Sequence, residues 1–269
     1  MTTSAGSSAA ADTAAQEAPA SRPQSAAAPS PFPGIDEYAF LSDCHTGALI
    51  APDGAVDWLC VPRFDAPSVF GALLDRQAGS FRFGPYGIDH PTARIYEPGT
   101  NVLITTWKTP RGWIVVRDAL AMGPRRHEDQ VTPHTRPPAD DDAGHLLVRS
   151  VVCIDGEVEL ELVCEPAFDY GRAPAAWNLT DDSRHCADAT GAGQTIRLRT
   201  DLGLGVEGGR VRARHVLRKG DQAFCSLSWA EQLEGPADID EANAHLAATS
   251  TFWRWSKAPL PTRTGRAPA

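Results

Sequence analysis

The sequence predicts an all-β protein: a large antiparallel β-sandwich of the supersandwich type, with a short helix near residues 67–74 and a second helix near the C-terminus. Three observations lead there. Short apolar segments recur between Gly, Pro and Asp turns. Several alternate with the two-residue period of a half-buried strand, as Val158, Leu160, Leu162 and Cys164 do against Glu157, Glu159 and Glu161. Roughly a dozen such segments are more than one simple sandwich holds.

The elements follow in order. Residues 1–33 form an Ala/Ser/Pro-rich arm that buries too little to offset its ordering entropy, so disorder is expected. Residues Tyr38 to Cys60 read as a hairpin, with Ala48-Leu49-Ile50 and Ala55 to Cys60 around a Pro52-Asp53-Gly54 turn. Ala66-Pro67-Ser68 opens the short helix through Leu74, since proline suits a first helical turn. Ser80 to Phe83 and Ala93 to Tyr96 are short strands. Asn101 to Lys108 and Gly112 to Ala119 form a hairpin, and His145 to Ile154 and Glu157 to Glu165 form another around Asp155-Gly156. Thr195 to Arg199, Val211 to Leu217 and Gln222 to Ala230 continue the strand pattern. Pro124 to Gly144, rich in proline and charge, reads as a long exposed loop. Asp240 to Trp255 carries a helical pattern that Pro259 and Pro261 end. The domain limits are therefore an arm over 1–33, a sandwich over 34–238, a helix over 239–256 and a frayed tail over 257–269.

Composition narrows the function. The formal charge is -9, which argues against nucleic acid and against anionic membrane surfaces. No apolar run is long enough to span a bilayer, and the N-terminus lacks the charged and apolar regions of a secretory signal, so a cytoplasmic location is expected. The six cysteines include no C-x-x-C pair. Cys60, Cys153, Cys164 and Cys225 sit in apolar runs and read as small buried hydrophobes. Cys44 beside His45 would point to the opposite strand face, which argues against a thiolate–imidazole pair. No cofactor or metal site is expected: His127 and His134 match no ligand spacing. Gly203-Leu204-Gly205-Val206-Glu207-Gly208 fits G-x-G-x-x-G, but a strand pattern follows it where a dinucleotide site needs a helix, so a Gly-rich β-turn is expected.

Candidate site residues come from one stretch. Asp57 beside Trp58 could line a sugar-facing surface, because aromatic faces stack on sugar rings; the plainer reading buries Trp58 in the core and uses Asp57 to bridge a turn. Arg63, Phe64 and Asp65 form a corner that pairs internally or meets a partner domain. Hydrolysis of a glycosidic bond needs two opposed carboxyl groups. Asp43, Asp57, Asp65, Asp118, Glu161, Glu165 and Asp169 are available, yet nothing singles out a pair, so no catalytic residue is assigned.

The stretch Gly34-Ile35-Asp36-Glu37-Tyr38-Ala39, Leu41-Ser42-Asp43-Cys44-His45-Thr46-Gly47-Ala48-Leu49, Asp53-Gly54-Ala55-Val56-Asp57-Trp58-Leu59-Cys60 and Pro62-Arg63-Phe64-Asp65-Ala66-Pro67-Ser68-Val69-Phe70 resembles the opening of the family 15 glycoside hydrolases, the glucoamylase and trehalase-like enzymes. Further matches lie at Arg94-Ile95-Tyr96, Arg117-Asp118-Ala119-Leu120, Glu165 to Gly171 and Thr251-Phe252-Trp253. The resemblance implies a β-sandwich placed before a linker helix and a catalytic (α/α)6 barrel, with inverting hydrolysis of α-glucosidic bonds in maltooligosaccharides, glucans or trehalose. Both catalytic glutamates of that family belong to the barrel, and no position here matches their motifs. The sequence expectation is thus a non-catalytic domain, truncated and inactive alone, whose partner is the barrel of a full-length homologue or a separate chain. The alternative is a stand-alone module binding α-glucan, trehalose or another partner through Trp58, Trp107, Trp113 or Trp177. A domain parted from its barrel should also expose an apolar docking patch.

Overall fold

Alternating side chains and turn glycines draw about half of the described residues into antiparallel strands. The computed structural model describes residues 1, 32–123, 143–229 and 233–256. After a 3-10 turn at Ile35–Glu37 come β1 (Ala39–Ser42), β2 (Gly47–Ile50), β3 (Ala55–Cys60), β4 (Ser68–Phe70), β5 (Ser80–Pro85), β6 (Ala93–Tyr96), β7 (Leu103–Lys108) and β8 (Gly112–Met122). Then follow β9 (Ala143–Glu165), the short element α1 (Phe168–Gly171), β10 (Ala173–Pro174), β11 (Ala176–Leu179), β12 (Cys186–Gly191) and β13 (Gln194–Thr200). The chain continues through β14 (Gly205–Glu207), β15 (Arg210–Arg218), β16 (Gln222–Ser228) and the helix α2 (Ile239–Ser256). Nearly all of the arm over 1–33, the tail over 257–269 and most of the loop expected over 124–144 lie outside the described residues.

Two sheets face each other, and β9 belongs to both. Its first half lies between β8 and β16; its second half lies between β5 and β15. The hairpin expected around Asp155-Gly156 is therefore not formed. These 23 residues make one strand that bends from sheet to sheet, and its two halves pair with other strands rather than with each other. Gly156 makes the bend: its φ is 67°, and a Cβ there would collide with the Arg111 carbonyl. Sequence alone reads a Gly-marked bend and a two-residue hairpin alike, because both interrupt alternation at Asp-Gly.

The hairpins expected over β2–β3 and β7–β8 are present, with Ala48 opposite Leu59 and Thr105 opposite Val116. The G-x-G-x-x-G run lies in and beside a β14–β15 hairpin, turning at Gly208 and Gly209, as the strand pattern after it required. The helix expected near 67–74 is absent. Ser68, Val69 and Phe70 form a short strand against β3, and turns follow. All three residues are buried while Leu74 is exposed, so the segment lacks the single apolar stripe a surface helix needs. The amides of Gly71 and Ala72 bond back to Ala78 and Gly79.

The core lies between the sheets, with Trp107, Phe70, Phe81, Phe83, Phe168 and Ile114 fully buried. A second apolar layer lies outside. There α2 sets Ala242 and Leu246, one turn apart, against Val102, Ala119, Val148 and Phe224. Asp238 starts that helix by accepting the Glu241 amide. Thr249 accepts the Met122 amide, and Glu97 gathers Arg117, Ser250 and Arg254. Burial alone would raise the Glu97 carboxyl, but these donors outweigh it and hold its pKa below the ordinary range.

The β12–β13 hairpin turns on Ala192 and Gly193, with φ of 50° and 76°. Two consecutive left-handed residues in a two-residue loop define the turn that favours Asn-Gly. Ala192→Asn is expected to raise stability by about 0.5–1 kcal/mol, read as a higher urea midpoint at unchanged slope. An unchanged or lower midpoint would show that the alanine carries no strain.

Candidate functional site

Adjacent residues on β3 face opposite ways, and this separates the two candidates that sequence placed together. Asp57 is fully buried. Its Oδ2 accepts the Tyr38 hydroxyl at 2.9 Å and Arg76 Nη1 at 2.8 Å, while Oδ1 has no hydrogen-bond partner among the described residues. The Leu73 amide bonds the Asp57 carbonyl, so this residue also anchors the turns after β4. Burial first, and the charge of Asp53 second, push the Asp57 carboxyl up to about 6 against the pull of Tyr38 and Arg76. Burial and the adjacent carboxylate likewise raise the Tyr38 phenol well above its usual range. A carboxyl with no exposed surface cannot touch a ligand in this conformation.

Trp58 is half-buried and stands outside the core, with its ring 6.5 Å from that of Tyr170 at an interplanar angle of 38°. Tyr170 is 47% exposed. It sits on a left-handed turn in which Asp169 has φ 51°, ψ 53° and Tyr170 has φ 59°, ψ 39°. Phe168, buried beneath it, fills the space left at Gly191, where a Cβ would collide with its ring. Arg63, Phe64 and Asp65 are exposed at the end of β3. The Arg63–Asp65 pair spans 3.4 Å in open solvent, and the Phe64 amide bonds the His45 carbonyl.

These segments share one end of the sandwich. His45 faces His145 at 6.4 Å between ring centroids. Phe64 is tied to His45, Gln194 donates to the Val61 carbonyl, Phe168 abuts Gly191, and Tyr170 meets Trp58. Six described non-glycine residues have positive φ, and five of them (Cys44, His145, Asp169, Tyr170 and Ala192) lie along this rim. Left-handed backbone costs such residues about 1 kcal/mol or more each. The candidate site is this strained rim, with Trp58 and Tyr170 its aromatic centre. Asp57 stands behind it as a strut.

Sequence reasoning gave Tyr170 no role beyond the resemblance, and the Asp-Tyr-Gly string was the available signal of a left-handed turn. It also missed Arg149, which is fully buried between the sheets. Its guanidinium donates to Asp118 at 2.7 Å, to the Phe81 carbonyl at 2.9 Å and to the Gly54 carbonyl at 2.6 Å. Among the tryptophans considered for stacking, Trp107 is core, Trp113 lies under Lys108, and Trp177 donates to the Gly209 carbonyl. A groove of about 250 Å³ at the opposite end, lined by Tyr86, Pro110, Arg111 and Val216, contains none of the candidate residues. Cys60, Cys153, Cys164, Cys186 and Cys225 are free thiols; burial pushes those of Cys60, Cys153, Cys164 and Cys225 up. Among the described residues no group of three or more His, Cys, Asp or Glu side chains converges as a metal site, and no helix is long and apolar enough to cross a membrane.

Comparison with known proteins gives the site a context. The family profile described as "Trehalase-like, N-terminal" matches residues 28–187. A trehalase of Mycolicibacterium smegmatis is 49% identical over 230 residues, covering 83% of this chain and 34% of that protein. A trehalase of Mycobacterium tuberculosis matches to the same extent. Trehalase 1 of Sulfolobus acidocaldarius is 37% identical over 233 residues, covering 84% of this chain and 37% of that protein. The chain thus spans about a third of the length of these relatives.

Proposed function

Since this chain belongs to the trehalase-like N-terminal domain family, we infer that it serves as the non-catalytic β-domain of an α-glucosidic hydrolase of family 15. Its partner in this reading is a catalytic (α/α)6 barrel, in the same protein or as a separate chain, and the substrate of the pair is trehalose or a related α-glucoside. The carrying observation is the 49% identity to proteins named trehalase, spread over 83% of this chain but only 34% of theirs. The domain limits in this reading are a sandwich over 34–238 and a linker helix over 239–256.

The buried carboxylates support a scaffolding role. Asp118 holds Arg149, Asp57 holds Tyr38 and Arg76, and Asp53 holds the Ala55 amide. A docking face is supported by exposed Phe40 and Tyr96, which the Tyr96 hydroxyl ties across the edges of the two sheets, with Ile35 and Ile95 also exposed. Five buried free thiols fit a reducing cytoplasm.

A fusion tests the reading. The full chain replaces the matching third of the Mycolicibacterium smegmatis trehalase, and glucose release from trehalose is measured. The chain alone is expected to release no glucose. The fusion is expected to exceed the remaining two thirds alone by about 100-fold, the scale of a misplaced site restored. Glucose release by the chain alone, or a fusion no better than the remainder alone, would refute it.

A further inference from the structure

The Trp58–Tyr170 pair has a form that the scaffolding role leaves unused. A turn needed only for its shape would take Gly, Asn or Asp at two successive left-handed positions. Here the chain places Asp169 and Tyr170 in them, at φ 51° and 59°, and keeps glycine for Gly171. A large ring is therefore held at an exposed tip against backbone preference. Its mounting is firm: Phe168 is locked under Gly191, and a Cβ at Gly171 would press on Ala78. Tyr170, 47% exposed, and the half-buried Trp58 set their rings in a wedge, 6.5 Å between centroids and inclined by 38°. Beside it Asp169 and Arg172 form an ion pair at 3.6 Å, with 38% and 74% of their side chains exposed.

We propose that this wedge is a binding site for a single pyranose unit of an α-glucoside. The chemistry of both halves fits that ligand. Aromatic faces carry negative charge density and attract the polarised C–H face of a sugar ring. A carboxylate and a guanidinium beside them supply an acceptor and several donors for ring hydroxyls. A few placed polar groups against an apolar floor is the usual composition of a small-molecule site. The choice of a glucoside, rather than another sugar, rests on the trehalase-like reading above.

The test is a titration of the full chain with trehalose and with maltose, followed by calorimetry and by indole N–H resonances. Saturable binding with a dissociation constant of about 1 mM is expected. Tyr170→Asn removes the ring yet suits left-handed backbone, so it should keep the fold and weaken binding by about tenfold or more. Trp58→Leu should do the same, and an acyclic polyol should not compete. Absence of saturable binding up to about 50 mM, or unchanged affinity in Tyr170→Asn with an intact circular dichroism spectrum, overturns the proposal. So does self-association through the wedge in place of sugar binding. The two readings part cleanly. A chain that restores hydrolysis in the fusion but binds no sugar defeats the wedge alone; a chain that binds sugar but fails in the fusion defeats the scaffold reading alone.

Discussion

Arg149→Leu is expected to lower the unfolding free energy by about 3–5 kcal/mol, the scale for breaking a buried ion pair by removing one partner. The arginine lies in the half of β9 that belongs to the second sheet, and it reaches across the core to the first. Its Nε and Nη atoms hold Asp118 on β8, the Phe81 carbonyl on β5 and the Gly54 carbonyl before β3. The rings of Phe81 and Phe83 lie 5.1 and 5.7 Å from the guanidinium carbon. Without it, an Asp118 carboxylate only 1% exposed loses its counter-charge and two buried carbonyls lose this donor. Such a loss is a large part of the roughly 5–15 kcal/mol that holds a domain together. Lysine cannot replace the planar fork, so Arg149→Lys is expected to recover less than half. Adding Asp118→Leu to Arg149→Leu removes the stranded charge and should recover about 1–3 kcal/mol. Urea unfolding measures all four proteins. A loss under about 1 kcal/mol in Arg149→Leu would show that the network does not hold the two sheets.

The second large effect is one of pH. The Asp57 carboxyl titrates at about 6 in the folded protein against an ordinary 3.8. Below about pH 3 it is protonated in both states. Between about 4 and 6 the folded protein keeps a proton that the unfolded chain has released, so rising pH favours unfolding. Above about 6 both states are ionised and the contribution is flat. The stability of the wild type relative to Asp57→Asn should therefore fall by roughly 3 kcal/mol between pH 3 and pH 7. Asparagine keeps an acceptor for Tyr38 and Arg76, so the variant folds and serves as the reference. Burial raises Asp53 and Asp201 in the same direction, whereas Glu97, held low by Arg117 and its neighbours, contributes stability that is lost as pH falls. Taking the difference from Asp57→Asn cancels Asp201 and Glu97, while Asp53, whose charge acts on Asp57, stays coupled to the difference. Parallel pH profiles for the two proteins would show that Asp57 does not carry the shift.

Legibility followed the range of the interactions. Strand segments such as β7, β8 and β13 could be read from alternation, because the pleat repeats every two residues whatever the partner strand is. The short strands β11, β12 and β14 lacked that period and were missed. The β4 segment misled for the opposite reason: Pro67 looked like a helix start, but contacts with β3 and with Ala78 decided the backbone. At the site, Asp57 and Trp58 were visible as residues, yet their division into a buried strut and a surface ring depended on which face of β3 met which neighbour. Tyr170 lies 112 positions along the chain from Trp58, and no local pattern marks such a pair.

By itself the sequence determined the all-β class, the antiparallel hairpins around β2–β3 and β7–β8, the acidic outer face of β9's second half and the family resemblance. These depend on periods and turn residues that act within a few positions. Only the tertiary structure decided that β9 serves both sheets, that Arg149 joins them and that Trp58 and Tyr170 form one wedge. Those features arise when distant segments compete for the same buried space, and close packing, which the linear order of residues does not contain, settles that competition.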